Sequence, residues 1–188
     1  MQFNSLNENY IRTYDEVISS ELCKEMIEEF EKNEDQYDKQ TLEGHRSFTQ
    51  IALQQHENWK RFEAPLHEAF NGCISKYMDD CSIVDKMFPQ QFAYEMFRMK
   101  RYEPNGVDEF NDHVDVGNHA SAKRFLVFFL YLNEPEGGET DFPQRGVTVH
   151  PKTGSLLMFP PMWTHLHAGR KVTGDVPKYI LGSYLHYV

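Results

Sequence analysis

Apolar positions recur along the chain with two different periods, and the change falls near residue 88. Before it the spacing is helical. Cys23, Met26, Ile27 and Phe30 recur at i, i+3, i+4 and i+7 behind the capping sequence Ser19-Ser20-Glu21-Leu22, which predicts a helix ending near Lys32-Asn33. Trp59, Phe62, Leu66, Phe70 and Ile74 form a second stripe over residues 57–77; Pro65 inside it predicts a kink or a place near the helix start. After residue 88 the texture is that of strands. Residues 92–102 are rich in aromatics and Met. Residues 124–133 (RFLVFFLYLN) are apolar on both faces, the mark of a strand covered on both sides. Further strands are predicted at 147–150, 155–159, 162–167 and 178–187, separated by Gly- and Pro-containing turns. This order predicts a mainly β, α+β protein with N-terminal helices. Residues 1–88 supply a helical buttress and leading strands, and 89–188 form a β-core of barrel or sandwich type within one domain spanning 1–188.

Composition narrows the partners. With 29 acidic and 19 basic residues the formal charge is −10, which disfavours nucleic acid and anionic membranes, both polyanions. No run approaches the roughly 18–20 apolar residues of a membrane helix, and MQFNSLNENY lacks the basic and apolar regions of a signal peptide. Cys23, Cys73 and Cys81 are odd in number and have no Cys-x-x-Cys spacing, so they read as reduced thiols in a cytoplasmic protein.

Six of the nine histidines lie after residue 100. The informative group is His113-Val114-Asp115. In an extended segment residues i and i+2 share a face, so an imidazole and a carboxylate converge on one point as two ligands for a divalent metal. The predicted strand 162–167 offers a third ligand twice, since His165 and His167 also share a face. Two histidines and one carboxylate on a β-scaffold suit non-haem Fe(II). The same set suits a tetrahedral zinc site.

Five motifs then occur in order. They are Tyr102-Glu103-Pro104-Asn105-Gly106 leading to His113-Val114-Asp115; Tyr131-Leu132-Asn133 continuing to Glu136-Gly137-Gly138-Glu139-Thr140-Asp141-Phe142-Pro143; Val149-His150-Pro151-Lys152-Thr153-Gly154 through Phe159; His167-Ala168-Gly169; and Lys178-Tyr179. Together they resemble the prolyl 4-hydroxylase-type Fe(II)/2-oxoglutarate-dependent dioxygenases, and the resemblance covers about residues 102–187. It implies a double-stranded β-helix, a jelly-roll or cupin-like barrel. It implies Fe(II) held by His113, Asp115 and a distal histidine. His167 carries the His-x-Gly context and stands eleven residues before Lys178, one more than the family spacing, so it is favoured over His165. It further implies that the far carboxylate of 2-oxoglutarate pairs with Lys178, with Tyr131 at the position whose hydroxyl adds a hydrogen bond in relatives.

The implied reaction uses O₂ to hydroxylate an unactivated C–H bond, with release of succinate and CO₂ and with ascorbate as re-reductant of the iron. The implied substrate is a prolyl residue in a peptide or protein. Tyr102, Arg46 (in His45-Arg46-Ser47, which weakly resembles an Arg-Ser motif of the family) and His165 are the expected substrate-side residues. Residues 33–44 and 103–112 are expected as loops over the mouth. Glu103, Asp108, Glu109 and Asp112 precede His113, so an acidic rim favouring basic peptides is expected. Two other classes stay open: a zinc- or manganese-dependent hydrolase or isomerase on a cupin-like fold, and a non-catalytic metal-binding β-barrel scaffold.

Overall fold

The computed structural model describes residues 10–188; residues 1–9, which carry most of the segment read for a leader, lie outside the described residues. The elements are β1 (Arg12–Tyr14), α1 (Ser20–Lys32), β2 (Asp38–Leu42), β3 (Arg46–Ala52), α2 (Lys60–Asp80), β4 (Phe92–Tyr94), β5 (Arg98–Tyr102), β6 (Glu109–His113), β7 (Arg124–Tyr131), β8 (Thr140–Phe142), β9 (Val147–Val149), β10 (Leu156–Phe159), β11 (His167–Gly169) and β12 (Lys178–Tyr187), with short 3₁₀ turns between some of them. Ser19 caps α1 by accepting from the Leu22 amide at 3.2 Å. Pro65 sits in the second turn of α2, where it lacks the amide that would bond to Arg61.

The strands form one curled antiparallel sheet in the order β1-β10-β7-β12-β5-β3-β6-β11-β8-β9, with β2 added to β3 and β4 to β12. This is the double-stranded β-helix that the motifs imply. Strand β3 turns the corner: it pairs with β5 at its far end and with β6 at its start.

Side chains on the central strands alternate between two apolar clusters. Leu126, Phe128 and Leu130 of β7, Leu156 and Met158 of β10, and Leu181 and Leu185 of β12 face the helices, where they meet Phe30 of α1 and Phe62, Leu66 and Phe70 of α2. The intervening Val127, Phe129 and Tyr131, with Leu157, Phe159 and Ile180, point into the barrel. This is why 124–131 reads as apolar on both faces. Phe70 stacks on Phe128 with ring centres 5.1 Å apart and fastens the helices to the sheet.

Three expectations need correction. Residues 33–44 are not a loop: they form a 3₁₀ turn and then β2, hairpinned to β3. Of residues 103–112, also expected as a loop, 109–112 belong to β6; the strand-like stretch 92–102 forms two strands, because the Phe97 amide and carbonyl turn to Gln54 and Leu53. The stretch 162–167 is not a strand: the His165 amide bonds to the Met162 carbonyl at 2.8 Å, a turn, and the strand begins only at His167. Cys23, Cys73 and Cys81 are free and buried, and among the described residues no helix is long and apolar enough to cross a membrane. Because Phe128 is fully buried, Phe128→Ala is expected to lower stability by about 3–5 kcal/mol, read as an earlier midpoint in urea unfolding.

Candidate metal centre

Strands β6 and β11 pair antiparallel with His113 directly opposite His167. The chain leaves β6 after His113 and swings Asp115 back beneath the pair, its amide held by the Pro161 carbonyl at 3.0 Å and its carbonyl by Arg124 at 3.2 Å. The ligand atoms of His113, Asp115 and His167 all lie within 4.8 Å of one another. They are the only such group among the described residues.

Hydrogen bonds fix the tautomers. His113 Nδ1 donates to the Asn111 carbonyl at 2.7 Å and His167 Nδ1 to the His165 carbonyl at 3.0 Å. A carbonyl only accepts, so each Nδ1 carries the proton and each neutral ring presents a bare Nε2 lone pair inward. Burial pulls His167 down to about 4, against the pull of the Asp115 charge, so at neutral pH it stays uncharged. Burial opposes the Asp115 anion, yet the imidazolium forms of His167 and His113, together with the Tyr184 hydroxyl, hold its carboxyl well below the usual carboxylate range. Tyr184 donates to Asp115 Oδ1 at 2.7 Å.

What remains is a buried pair of lone-pair atoms. Asp115 Oδ2 and His167 Nε2 face each other at 3.4 Å, and neither has a hydrogen-bond donor. Two such acceptors left unsatisfied cost free energy, and a cation between them removes that cost. The donor set of two neutral imidazoles and one carboxylate suits iron(II), so these residues fit the metal that the motifs imply. Phe110 backs the site by stacking on His113 with 3.5 Å between ring centres.

A chamber runs inward from the ligands past Phe129, Thr140 and Tyr102 to Lys178. The Lys178 ammonium is buried, donates to the Gly138 carbonyl at 2.7 Å and lies 4.5 Å from the centre of the Tyr102 ring. Burial, with the nearby Lys100 charge, pulls it down to about 7. The Gly137-Gly138 turn makes this reach feasible: Gly138 has φ +70, and a Cβ there would stand 3.0 Å from Lys178 Cδ. Tyr131 does not line the chamber. Its hydroxyl donates to Thr140 Oγ1 at 2.7 Å, and Thr140 does line it.

The expected substrate-side residues divide. Arg46 lines an outer cavity that shares His113 and Asp115 with the chamber. Tyr102 lies at the inner end, beside Lys178. His165 is not beside the metal group, because the turn at Met162 sends its ring to Thr164 Oγ1 and an apolar cleft with Tyr77 and Phe88; only its carbonyl serves the site. The acids expected at the rim all have partners, although Arg101 also holds Glu31 and Arg170 also holds Asp141. Asp108 is buried against Ser47 Oγ and the Glu103 amide, Glu103 pairs with Arg101, Glu109 with Lys171, and Asp112 with Arg170. Sequence reasoning missed Tyr184, Thr140 and Lys100. The signal for Tyr184 and Lys100 was alternation, since Lys178, Ile180, Gly182 and Tyr184 share one face of β12, and Lys100 and Tyr102 one face of β5.

Residues 97–186 match the family model described as the 2OG-Fe(II) oxygenase superfamily. Among solved structures the chain resembles the viral collagen prolyl hydroxylase of Paramecium Bursaria Chlorella virus-1 in its 2OG complex (22% identity, TM-score 0.69, 95% of this chain and 97% of that one). It also resembles a Trichoplax adhaerens prolyl hydroxylase bound to a hypoxia inducible factor peptide (15%, TM-score 0.72, 97% and 86%). A third likeness is to a Pseudomonas putida prolyl-4-hydroxylase (16%, TM-score 0.68, 98% and 96%). No curated protein matches the chain.

Replacing His167 by Ala is expected to weaken metal binding by more than the roughly 10- to 100-fold lost with an outer partner. His165→Ala, which keeps its carbonyl, is expected to cost less than about ten-fold. Competition titration against a chromophoric chelator separates the two.

Proposed function

We propose that the protein is an Fe(II)- and 2-oxoglutarate-dependent dioxygenase that hydroxylates a prolyl residue of a peptide or protein. The observation that carries the reading is the pair of donorless atoms, Asp115 Oδ2 and His167 Nε2, set beside His113 at the mouth of a chamber closed by a buried ammonium. The resemblance to prolyl hydroxylases, one with a bound peptide, supports the prolyl substrate.

His113, Asp115 and His167 hold the iron in this reading. Bound there with 2-oxoglutarate, it supplies the redox chemistry in which one O₂ oxidises a C–H bond to an alcohol and the co-substrate to succinate and CO₂. The protein's own contributions are positional. Tyr184 and Arg124 orient Asp115, and the Asn111 and His165 carbonyls hold the imidazoles in the tautomer that leaves Nε2 free. Lys178 receives the far carboxylate, and Tyr131 acts through Thr140 beside it. The Lys178 ammonium donates to a carbonyl and to no carboxylate among the described residues, so the diacid supplies the counter-charge it lacks. Phe129, Phe110 and Ile180 wall the chamber and limit water at the reacting centre. A zinc hydrolase would use the same three ligands but gives the buried Lys178 no task.

Two outcomes test the reading. Wild-type protein with Fe(II), 2-oxoglutarate, O₂ and a proline peptide is expected to form succinate, and Asp115→Ala to form none; succinate formation by the mutant at the wild-type rate refutes the assignment. The second concerns pH. Lys178 lies near 7 in the empty chamber and is raised by a bound carboxylate, so 2-oxoglutarate binding above pH 7 takes up a proton. Affinity for 2-oxoglutarate is therefore expected to fall as pH rises above about 7, and to stay flat in Lys178→Arg, whose side chain remains charged. Calorimetry in buffers of different ionisation heat reads both quantities.

A further inference from the structure

Strand β5 sends Arg98, Lys100 and Tyr102 to the inner face of the barrel, while Met99 and Arg101 face the helices. Tyr102 belongs to the inner chamber. Arg98 and Lys100 have no part in the reaction as derived, and both line the outer cavity, which has a volume of about 340 Å³. Lys100 lines the inner chamber as well and so stands on the boundary between the two.

The surroundings of Lys100 are apolar. Its Nζ lies 5.0 Å from the Phe48 ring centre, 5.8 Å from Phe129 and 6.0 Å from Phe110. It makes no hydrogen bond or ion pair with any described residue. Aromatic faces return part of what the ammonium loses in leaving water, but they do not replace an anion. Its neighbours do not supply one either. The Arg98 guanidinium has only the Met96 carbonyl at 3.5 Å, and Arg46 binds the Gln40 amide oxygen at 3.0 Å while its Nε is buried without an acceptor.

The one carboxylate lining the outer cavity is Asp115, which is committed to the metal group. Asp38 lies further out, held by the Gln40 and Gln50 amides, and Glu95 is taken by Arg124. A chain of charge −10 therefore holds three cations without a carboxylate partner, Lys100, Arg98 and Arg46, in the cavity that opens on its metal ligands. Such a focused field attracts an anion.

We propose that the outer cavity selects an acidic peptide, with a carboxylate flanking the target residue seated on Lys100 beside the metal group and with Arg98 and Arg46 steering the rest. This reading rests on the oxygenase assignment and deepens it. It reverses the expectation of basic substrates, because the acids before His113 are spent on their own partners.

The test is calorimetric, on the Mn(II)-loaded full chain without O₂. 2-Oxoglutarate is titrated first. Three N-acetylated, C-amidated pentapeptides follow, with proline at the centre flanked by Glu, Gln or Lys, together with free proline. The Glu peptide is expected to bind at least about ten-fold tighter than the Lys peptide at low salt, the size of one charge-assisted hydrogen bond. Lys100→Gln is expected to remove that preference while 2-oxoglutarate still saturates the protein through Lys178, Lys100→Arg to keep it, and Arg98→Gln to reduce it. Equal binding of the Glu and Lys peptides, no binding of the Glu peptide, or tighter binding of free proline than of the Glu peptide overturns the proposal. Weakened 2-oxoglutarate binding in Lys100→Gln with the peptide preference intact also overturns it, and gives the ammonium to the co-substrate. If the wild type takes up no 2-oxoglutarate, the oxygenase assignment itself fails, and this inference with it.

Discussion

The two-residue period of the β-strands is the constraint on which everything else depends. On β7, β10 and β12 it puts one set of large apolar side chains against α1 and α2 and the other set inside the barrel. The helices thus hold the sheet from outside and leave its concave face free for polar groups. The same period places Lys178 and Tyr184 on one face of β12, one at the inner end of the chamber and one on Asp115. A slip of one residue in β12 would send Lys178 into the helices and Tyr179 into the chamber.

Antiparallel pairing converts that period into a candidate metal centre. His113 and His167 are partners across β6 and β11, so their rings meet without help from a loop. Asp115 is the one ligand off the ladder, and it is the one with the most restraints: Tyr184 on its carboxylate, Arg124 on its carbonyl and Pro161 on its amide. The carbonyls two residues before each histidine set the tautomer. A buried carboxylate oxygen facing a bare imidazole nitrogen is an unfavourable arrangement for the protein alone, and it marks where a cation belongs.

Much of this was legible in the chain. The i, i+3, i+4 stripes gave both helices and the two-faced apolar run gave β7; His113-Val114-Asp115 pointed to two members of the cluster, but Asp115 reaches it from beyond the end of β6 and not by strand alternation. The parts that escaped have physical causes. Strand β2 is polar and largely exposed, so it carries no hydrophobic period. The segment 162–167 alternates as a strand does, yet a turn bond at Met162 breaks it, which takes the His165 ring away from His113 and Asp115 and leaves His167 beside them. Counting acids before His113 could not show that Asp108 is buried on Ser47 and the Glu103 amide, or that the other three have cationic neighbours. The three cations of the outer cavity lie on β3 and β5, some fifty residues apart in the chain, and are brought together by the pairing of those two strands.

The most direct test of the central claim is an anaerobic visible-absorption titration of the apo-protein with Fe(II) and then 2-oxoglutarate. The account predicts a saturable charge-transfer band that appears only with both present and is lost when Asp115 is replaced by Ala. Absence of the band in the wild type, with stoichiometric Zn²⁺ binding indifferent to 2-oxoglutarate, would contradict it and return the site to a hydrolase or a scaffold.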